Sequence, residues 1–322
     1  MNKPNFVLGT MTLGESVFGS DAADMINRFG ELGYNELDTA YVYNKGQSET
    51  LIGETLKKPC TNNFRIATKV NPRITGKLDS DAVMMQFNES LRRLQLEKVD
   101  TLYLHFPDAD TPVESALEAC AKLHSQGKIK ELGLSNFPAW LVVDVYHKCK
   151  QNGWIVPTIY EGLYNPLSRL AEGELSQVLD NFGLRFYAYN PLAGGILTNK
   201  YAGIDDAPAE GRFTNRPNYK NRYWKKSYFD AAGELKKICE KYGISIIEAT
   251  YRWIMFHSML NTERGDAIII GASKLSQLEQ NIRAVEGGEL PEEIIAEFEK
   301  AWETTKSDAP PYYRFYDPNS KL

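Results

Sequence analysis

The sequence predicts a parallel (β/α)8 barrel of the TIM-barrel type, on three observations. Eight short apolar runs alternate with longer amphipathic runs along the 322 residues, as in parallel sheets that helices cover on both faces. The length suits a barrel, which typically needs about 250 residues before insertions. Lys69 comes 31 residues after Asp38, and His105 comes 36 residues after Lys69, so polar residues recur at intervals of one βα unit. A doubly wound sheet with extra helices is the main alternative.

Each element follows from its local pattern. Short apolar runs predict strands at 6–10, 35–39, 64–68, 99–104, 129–134, 158–160, 184–189 and 267–270. Apolar residues at helical spacing predict helices at 22–32, 48–57, 80–94, 112–126, 138–151, 174–181, 229–242 with 246–256, and 275–286. Asp79 and Pro112 are typical of helix starts, and Gly153 and Gly183 of helix ends. A last helix at 292–304 and an aromatic tail at 310–316 follow the barrel.

One long segment interrupts the alternation. Residues 198–227 form a predicted loop of about 30 residues after the seventh strand, and loops of this length are usually functional or disordered. Between Gly211 and Lys226 the loop carries six basic residues and no acid. This positive charge favours a phosphate-bearing ligand over the alternative of a solvated loop with scattered charge. No change in composition marks a linker, so we predict a single domain over 1–322.

Composition narrows the classes of partner. A net charge of −5 and a pI of about 5.6 argue against binding to nucleic acid or to an acidic membrane surface. No apolar run approaches the roughly 20 residues that span a bilayer, and the N-terminus lacks the apolar core of a signal peptide. We therefore expect a cytoplasmic protein. Its four cysteines form no CxxC pair and its four histidines no ligand pair, which predicts free thiols and no metal site.

Four strand-end residues could perform acid–base chemistry together. The Tyr43 phenol keeps its proton at neutral pH, and a neighbouring Lys69 ammonium would lower its pKa. Asp38 could orient Lys69, and a neutral His105 could hydrogen-bond a carbonyl oxygen. This is a general acid directed at an alkoxide, which forms when hydride reaches a carbonyl, so a hydride-donating cofactor is implied. Singly, each residue has an ordinary structural alternative, such as a helix cap or a packed aromatic.

Other strand ends carry groups that could bind such a cofactor. The predicted strand at 129–134 is followed by Ser135 and Asn136, and the one at 158–160 is followed by Glu161. After the seventh strand, the pair Gly194-Gly195 would let backbone amides approach a pyrophosphate. No G-x-G-x-x-G follows a strand, which argues against a Rossmann site.

Several segments carry a family resemblance, namely LDTAYVYNKGQSETLIG, LYLHFPD, ELGLSNFPAW, LRFYAYNPLAGGILTNKY and GASKLSQLEQN. Over nearly its whole length the chain resembles the aldo-keto reductase superfamily, and in particular its aflatoxin-aldehyde reductase branch. The resemblance implies a barrel that reduces aldehydes and ketones with NADPH and without a Rossmann domain. Asp38, Tyr43, Lys69 and His105 match the catalytic tetrad, with Tyr43 as the proton donor. Members of this branch are often dimers, so a homodimer is an expectation.

The resemblance also implies which residues contact the ligands. Ser135 and Asn136 would hold the nicotinamide carboxamide, and Tyr189 would stack on its ring. The other implied cofactor contacts are Met11, Asp38, Glu161, Asn190, Pro191, Leu192, Gly194, Gly195, Leu197, Lys200, Arg212, Gly271, Ser273, Gln277, Gln280 and Asn281. Candidate substrate contacts are His105, Phe106, Arg222, Trp224 and Arg314. The two arginines are possible anchors for a substrate carboxylate, as in semialdehydes.

One residue departs from the family pattern. Glu161 stands where the family usually has Gln. A carboxylate near a ring that becomes positive on oxidation predicts some preference for bound NADP⁺. Two alternative functions stay open: a nicotinamide-binding regulatory subunit of slow turnover, resembling the barrel β-subunits of potassium channels, and a sugar or alcohol dehydrogenase that runs in the oxidative direction.

Overall fold

The strands close into a barrel. A computed structural model describes residues 5–57, 63–198, 200–206, 208–209 and 211–317. Its parallel strands pair in sequential order and β8 returns to β1, which confirms the predicted barrel over the doubly wound sheet. The strands are β1 (Phe6–Gly9), β2 (Glu36–Asp38), β3 (Arg65–Val70), β4 (Thr101–Leu104), β5 (Glu131–Ser135), β6 (Pro157–Leu163), β7 (Arg185–Tyr189) and β8 (Ala267–Ile270).

Helices surround the barrel in the predicted order. They are α1 (Gly19–Glu31), α2 (Gln47–Leu56), α3 (Ser80–Leu94), α4 (Val113–Ser125), α5 (Ala139–Asn152), α6 (Glu174–Phe182), α7 (Arg212–Asn215), α8 (Pro217–Tyr223), α9 (Lys226–Lys241), α10 (Ile246–Phe256), α11 (Leu275–Arg283) and α12 (Glu292–Thr305). The last helix, α12, packs against α9. None of the described helices has the length and apolarity that crossing a membrane requires.

The prediction of a plain loop over 198–227 is wrong in its second half. The short helices α7 and α8 lie inside it, and α9 already begins at Lys226. Pro217 occupies the first turn of α8, where its missing N–H costs nothing. Tyr219 and Tyr223 are buried, with their ring centroids 6.2 Å apart, so apolar burial folds this segment onto the barrel. Asn199, Ala207 and Glu210 lie outside the described residues.

Two strands are longer than predicted, and this matters for the site. β3 continues to Val70 and β6 to Leu163, so Lys69 and Glu161 lie within strands and not beyond them. A polar residue stops an apolar pattern in the sequence, whereas inside a barrel alternate residues point to the interior whatever their polarity. Tyr103 fills the interior beside Lys69, and a Cβ on Gly133 would lie 2.3 Å from its ring.

Charged residues pair with one another at the N-terminal ends of the barrel strands. Arg65 lies 3.5 Å from Glu36 and 2.8 Å from Glu131, which also pairs with Arg185. Such pairing at the N-terminal ends of the strands is expected to serve stability, because the active sites of these barrels lie at the other end.

Candidate active site

The four predicted catalytic residues converge at the C-terminal end of the barrel. Asp38 is the last residue of β2, Lys69 lies near the end of β3, and His105 directly follows β4. Tyr43 begins a short 3-10 turn after β2. Asn44 in that turn donates 2.7 Å hydrogen bonds to the carbonyl oxygens of Met11 and Leu13, which ties the tyrosine to the loop after β1.

Lys69 is fully buried between two carboxylates. Its Nζ donates to Asp38 and, over 3.0 Å, to the carbonyl oxygen of Thr39, and it lies 3.1 Å from Glu161 Oε2. Burial alone would lower the pKa of Lys69, but the charges of Asp38 and Glu161 outweigh burial and keep that pKa above its usual value. The sequence predicted the first partner of Lys69 and missed the second. Among the described residues, no His, Cys, Asp and Glu side chains gather as metal ligands would.

Glu161 is a buried carboxyl whose pKa is raised. It is 3% exposed, and burial together with the charge of Asp38 raises its pKa to about 8. Its Oε2 atom makes no hydrogen bond, since the contact with Lys69 has the distance of an ion pair without hydrogen-bonding angles. Glu161 therefore keeps its proton to a higher pH than an ordinary carboxyl does, while Asp38 pairs with the Lys69 ammonium.

Tyr43 is set against Lys69 and His105. Lys69 Nζ lies 5.5 Å from the centroid of the phenol ring, and the His105 ring meets it edge-on at 6.0 Å. We predicted that Lys69 would lower the pKa of Tyr43, and the structure differs. Burial, and then the charges of Asp38 and Glu161, raise that pKa well above its ordinary value.

His105 is held by an amide that the sequence analysis missed. Its Nδ1 lies 3.2 Å from Asn71 Nδ2, and its ring stacks on Phe106 at 4.8 Å. Burial and the charges of Lys69, Arg314 and Arg73 lower the pKa of His105 well below its ordinary value, so the ring is neutral. The signal for Asn71 was available, because it is a polar residue directly after β3 and directly before a proline.

Ser135 and Asn136 form a connected group at the end of β5. Asn136 Nδ2 donates to the His105 carbonyl oxygen over 2.9 Å and to Ser135 Oγ over 3.0 Å. Its Oδ1 accepts a 2.7 Å hydrogen bond from Tyr189. The structure thus brings together the three residues that the resemblance assigns to the nicotinamide ring, with Glu161 paired to Ser135 in the neighbouring strand.

The loop after β7 turns through two glycines in left-handed conformations. Gly194 and Gly195 have φ angles of 69° and 116°, and a Cβ on Gly194 would lie 2.8 Å from the Tyr223 ring. Asn190 anchors this turn through 3.2 Å hydrogen bonds with Tyr219 and Tyr223. Pro191, Leu192 and Leu197 belong to the same turn, and Lys200 follows it exposed to solvent.

The remaining predicted cofactor residues lie in α7 and in the segment from the end of β8 to α11. Arg212 lies 5.1 Å from the Tyr219 ring centroid. Ser273, two residues after Gly271, donates to Gln277 Oε1 from its backbone N–H over 3.1 Å and from its hydroxyl over 2.9 Å. Asn281 is buried on α11. Gln280 instead borders a cavity of about 360 Å³ between α10 and α11.

Two arginines of the predicted substrate set, Arg222 and Arg314, lie near Tyr189. Arg314 lies 4.9 Å from the Phe106 ring and donates its backbone N–H to Asn136 O over 3.0 Å. Burial and the charge of Arg222 lower the pKa of Arg314 to about 10. Trp224 is placed differently from the other predicted contacts. Its indole donates to Ile204 O over 2.8 Å, and its ring packs on Tyr201, Phe213 and Phe229.

Comparison with known proteins agrees with this geometry. The family model described as the aldo/keto reductase family matches residues 5–303. Aflatoxin B1 aldehyde reductase member 2 of Rattus norvegicus is 45% identical over 325 residues, which cover 97% of this chain and 88% of the relative. Aldo-keto reductase family 7 member A3 of Homo sapiens is 43% identical, with coverage of 97% and 98%. Oxidoreductase sirO of Leptosphaeria maculans is 34% identical, with coverage of 96% and 97%.

These matches confirm the resemblance that the sequence motifs indicated, including its branch. The chain belongs to the aldo/keto reductase family and is an oxidoreductase.

Proposed function

We propose that this protein reduces aldehydes and ketones to alcohols with NADPH, and that Tyr43 supplies the proton. One observation carries the proposal: a fully buried, charge-paired Lys69 lies beside both a protonated phenol and a neutral imidazole. These are the groups that a carbonyl oxygen needs as it gains negative charge. The reduced nicotinamide supplies the hydride when it is bound.

The residues present fit a nicotinamide cofactor. Glu161 Oε2 is a buried acceptor without a hydrogen-bond partner, and a carboxamide N–H could satisfy it. Ser135 and Asn136 lie in the strand next to Glu161 and offer further polar atoms. The turn at Gly194 and Gly195 has the positive φ angles that occur in backbone turns which bind phosphate groups. Arg212 and Lys200 add positive charge near that turn.

Each member of the tetrad has a distinct task in this proposal. Tyr43 keeps its proton at neutral pH, as its raised pKa requires, and gives it up only to the far more basic alkoxide. Lys69 stabilises the phenolate that is left, while Asp38 keeps Lys69 in place. His105 donates a hydrogen bond to the carbonyl oxygen and, because it is neutral, does not compete as an acid.

We further propose that the preferred substrates are aldehydes that also carry a carboxylate. Arg222 and Tyr189 both influence the pKa of Arg314. The two arginines therefore lie near each other and near Tyr189. The ion pairs found among the described residues involve neither guanidinium, whereas most other arginines there pair with acids. Partly buried cations without an acidic partner favour an anionic ligand, and guanidinium binds carboxylate in a bidentate manner.

The relatives support an aldehyde as the substrate class, since two of those cited are named aflatoxin B1 aldehyde reductase or aldo-keto reductase. The test is steady-state turnover with NADPH on 4-nitrobenzaldehyde and on succinic semialdehyde, in parallel with NADH. We expect turnover with both aldehydes, and a KM lower for the semialdehyde. Tight NADPH binding without turnover of any aldehyde would instead favour the regulatory-subunit alternative.

A further inference from the structure

The amide of Asn71 has only one orientation that satisfies its neighbours. Asn71 is 2% exposed and lies between the end of β3 and a short 3-10 turn. Its Oδ1 accepts a 3.0 Å hydrogen bond from the backbone N–H of Arg73. A backbone N–H can only donate, so the amide oxygen must face Arg73 and the amide NH2 must face His105.

Gln86 on α3 fixes the backbone that carries this amide. Its Oε1 accepts from the Asn71 backbone N–H over 2.8 Å, and its Nε2 donates to the Asn71 carbonyl oxygen over 3.1 Å. Gln86 is fully buried. The pair of contacts holds both sides of one residue, so Asn71 cannot rotate without breaking buried hydrogen bonds, each of which is costly to lose.

The orientation of Asn71 determines where His105 carries its proton. The Asn71 NH2 group only donates, and it lies 3.2 Å from His105 Nδ1. Nδ1 must therefore be the bare, accepting nitrogen, and the proton of the neutral ring must be on Nε2. A half-turn of the ring would place a C–H group against the Asn71 NH2 group and lose this hydrogen bond, so the ring keeps Nδ1 toward Asn71.

We propose that Asn71 is a positioning residue that holds His105 in the Nε2–H tautomer, so that the histidine presents a hydrogen-bond donor to the substrate carbonyl. An imidazolium would place a second donor, Nδ1–H, against the Asn71 NH2 group. The charges of Lys69, Arg73 and Arg314 oppose that imidazolium as well. The consequence for catalysis rests on the proposed function, whereas the tautomer itself does not.

The direct test is a long-range ¹H–¹⁵N correlation spectrum of the whole protein labelled with ¹⁵N-histidine. We expect His105 to show a protonated Nε2 and a bare Nδ1. The same spectrum contains an internal reference, because His257 Nε2 accepts a 2.9 Å hydrogen bond from the Leu290 backbone N–H and must be the Nδ1–H tautomer when neutral. A His105→Gln spectrum assigns the signal.

Two variants separate positioning from simple support of the structure. In Asn71→Asp a carboxylate still accepts from the Arg73 N–H, but it also accepts from His105 and so favours the Nδ1–H tautomer. In Asn71→Leu both contacts are lost and neither tautomer is favoured. We expect kcat to fall most in Asn71→Asp, by about a hundredfold for one lost donor to the oxyanion, and less in Asn71→Leu, with NADPH still bound by both.

A structural role predicts the reverse order, because Asn71→Asp keeps the Arg73 contact that Asn71→Leu loses. That reverse order, or a wild-type His105 protonated on Nδ1, would overturn the proposal. An Nε2–H tautomer in a protein that reduces no aldehyde would support the positioning role and overturn the proposed function, so the two failures are distinguishable.

Discussion

Replacing Glu161 by glutamine removes one of the two buried carboxyls beside Lys69 and should change how stability depends on pH. The native carboxyl lies 3.1 Å from Lys69 Nζ, next to Asp38, and burial is the main cause that raises its pKa from 4.5 to about 8. Glutamine has nearly the same shape and hydrogen-bonding reach but cannot ionise. The variant therefore separates the effect of ionising Glu161 on stability from the effect of its packing.

The sign follows from proton linkage. Because the folded pKa of Glu161 lies above its unfolded value, the folded protein binds this proton more tightly than the unfolded chain. The resulting stabilisation is complete below the unfolded pKa and is lost as the pH rises to about 8. At about 1.4 kcal/mol per pKa unit, the shift corresponds to up to about 5 kcal/mol of unfolding free energy.

The assay is urea unfolding of wild type and Glu161→Gln at several pH values between about 5 and about 9. We expect the free energy of unfolding of the wild type to fall relative to that of the variant across this range, and the two to run parallel at higher pH. Glu54→Gln makes the same substitution at an exposed position of α2 and controls for the loss of one acid. Parallel curves for wild type and Glu161→Gln throughout would refute the assignment of the proton to Glu161.

Three further predictions concern activity and binding. Tyr43→Phe should lower kcat by about 10²- to 10⁴-fold with NADPH affinity retained; wild-type turnover would show that Tyr43 is not the donor. Arg222→Ala and Arg314→Ala should each raise the KM for succinic semialdehyde by about tenfold, as expected for loss of a charged hydrogen bond, and leave that for 4-nitrobenzaldehyde nearly unchanged; equal effects on both aldehydes would argue against a carboxylate anchor. At pH about 9, above the pKa of about 8 at which Glu161 becomes charged, Glu161→Gln should weaken NADP⁺ binding relative to NADPH, measured by quenching of protein fluorescence; an unchanged ratio of the two dissociation constants at that pH would contradict the preference for NADP⁺.

The fold was predictable because a barrel repeats its signal. Strand-like and helix-like patterns alternate eight times, and polar residues follow the strands at regular intervals. Each of these signals is weak, but together they indicate the barrel. Strand ends were less predictable, as Lys69 and Glu161 show, because a polar side chain stops an apolar pattern even where the barrel interior accepts it. The helices α7 and α8 were not predicted, because their sequence is mostly polar. The segment folds because two of its tyrosines are buried against the rest of the molecule.

The members of the site could be inferred from sequence, but not their electrostatics. Strand order alone places Asp38 next to Lys69, because β2 and β3 are neighbours. The contact between Lys69 and Glu161 crosses the barrel interior from β3 to β6, and no local pattern reports it. The pKa of Tyr43 is raised first by burial and then by the charges of Asp38 and Glu161, which is why the predicted lowering is wrong. Asn71 stands at a strand end, which the sequence does show, but its role follows only from its contacts with Gln86 and His105.

The central claim is that this barrel end reduces carbonyl groups with NADPH. It is tested most directly by following NADPH consumption and alcohol formation in the same sample, with succinic semialdehyde as substrate and Tyr43→Phe as the matched inactive variant. The account predicts one alcohol formed per NADPH oxidised by the wild type, and neither process in Tyr43→Phe. NADPH bound but not consumed by the wild type, or equal turnover by Tyr43→Phe, would contradict it.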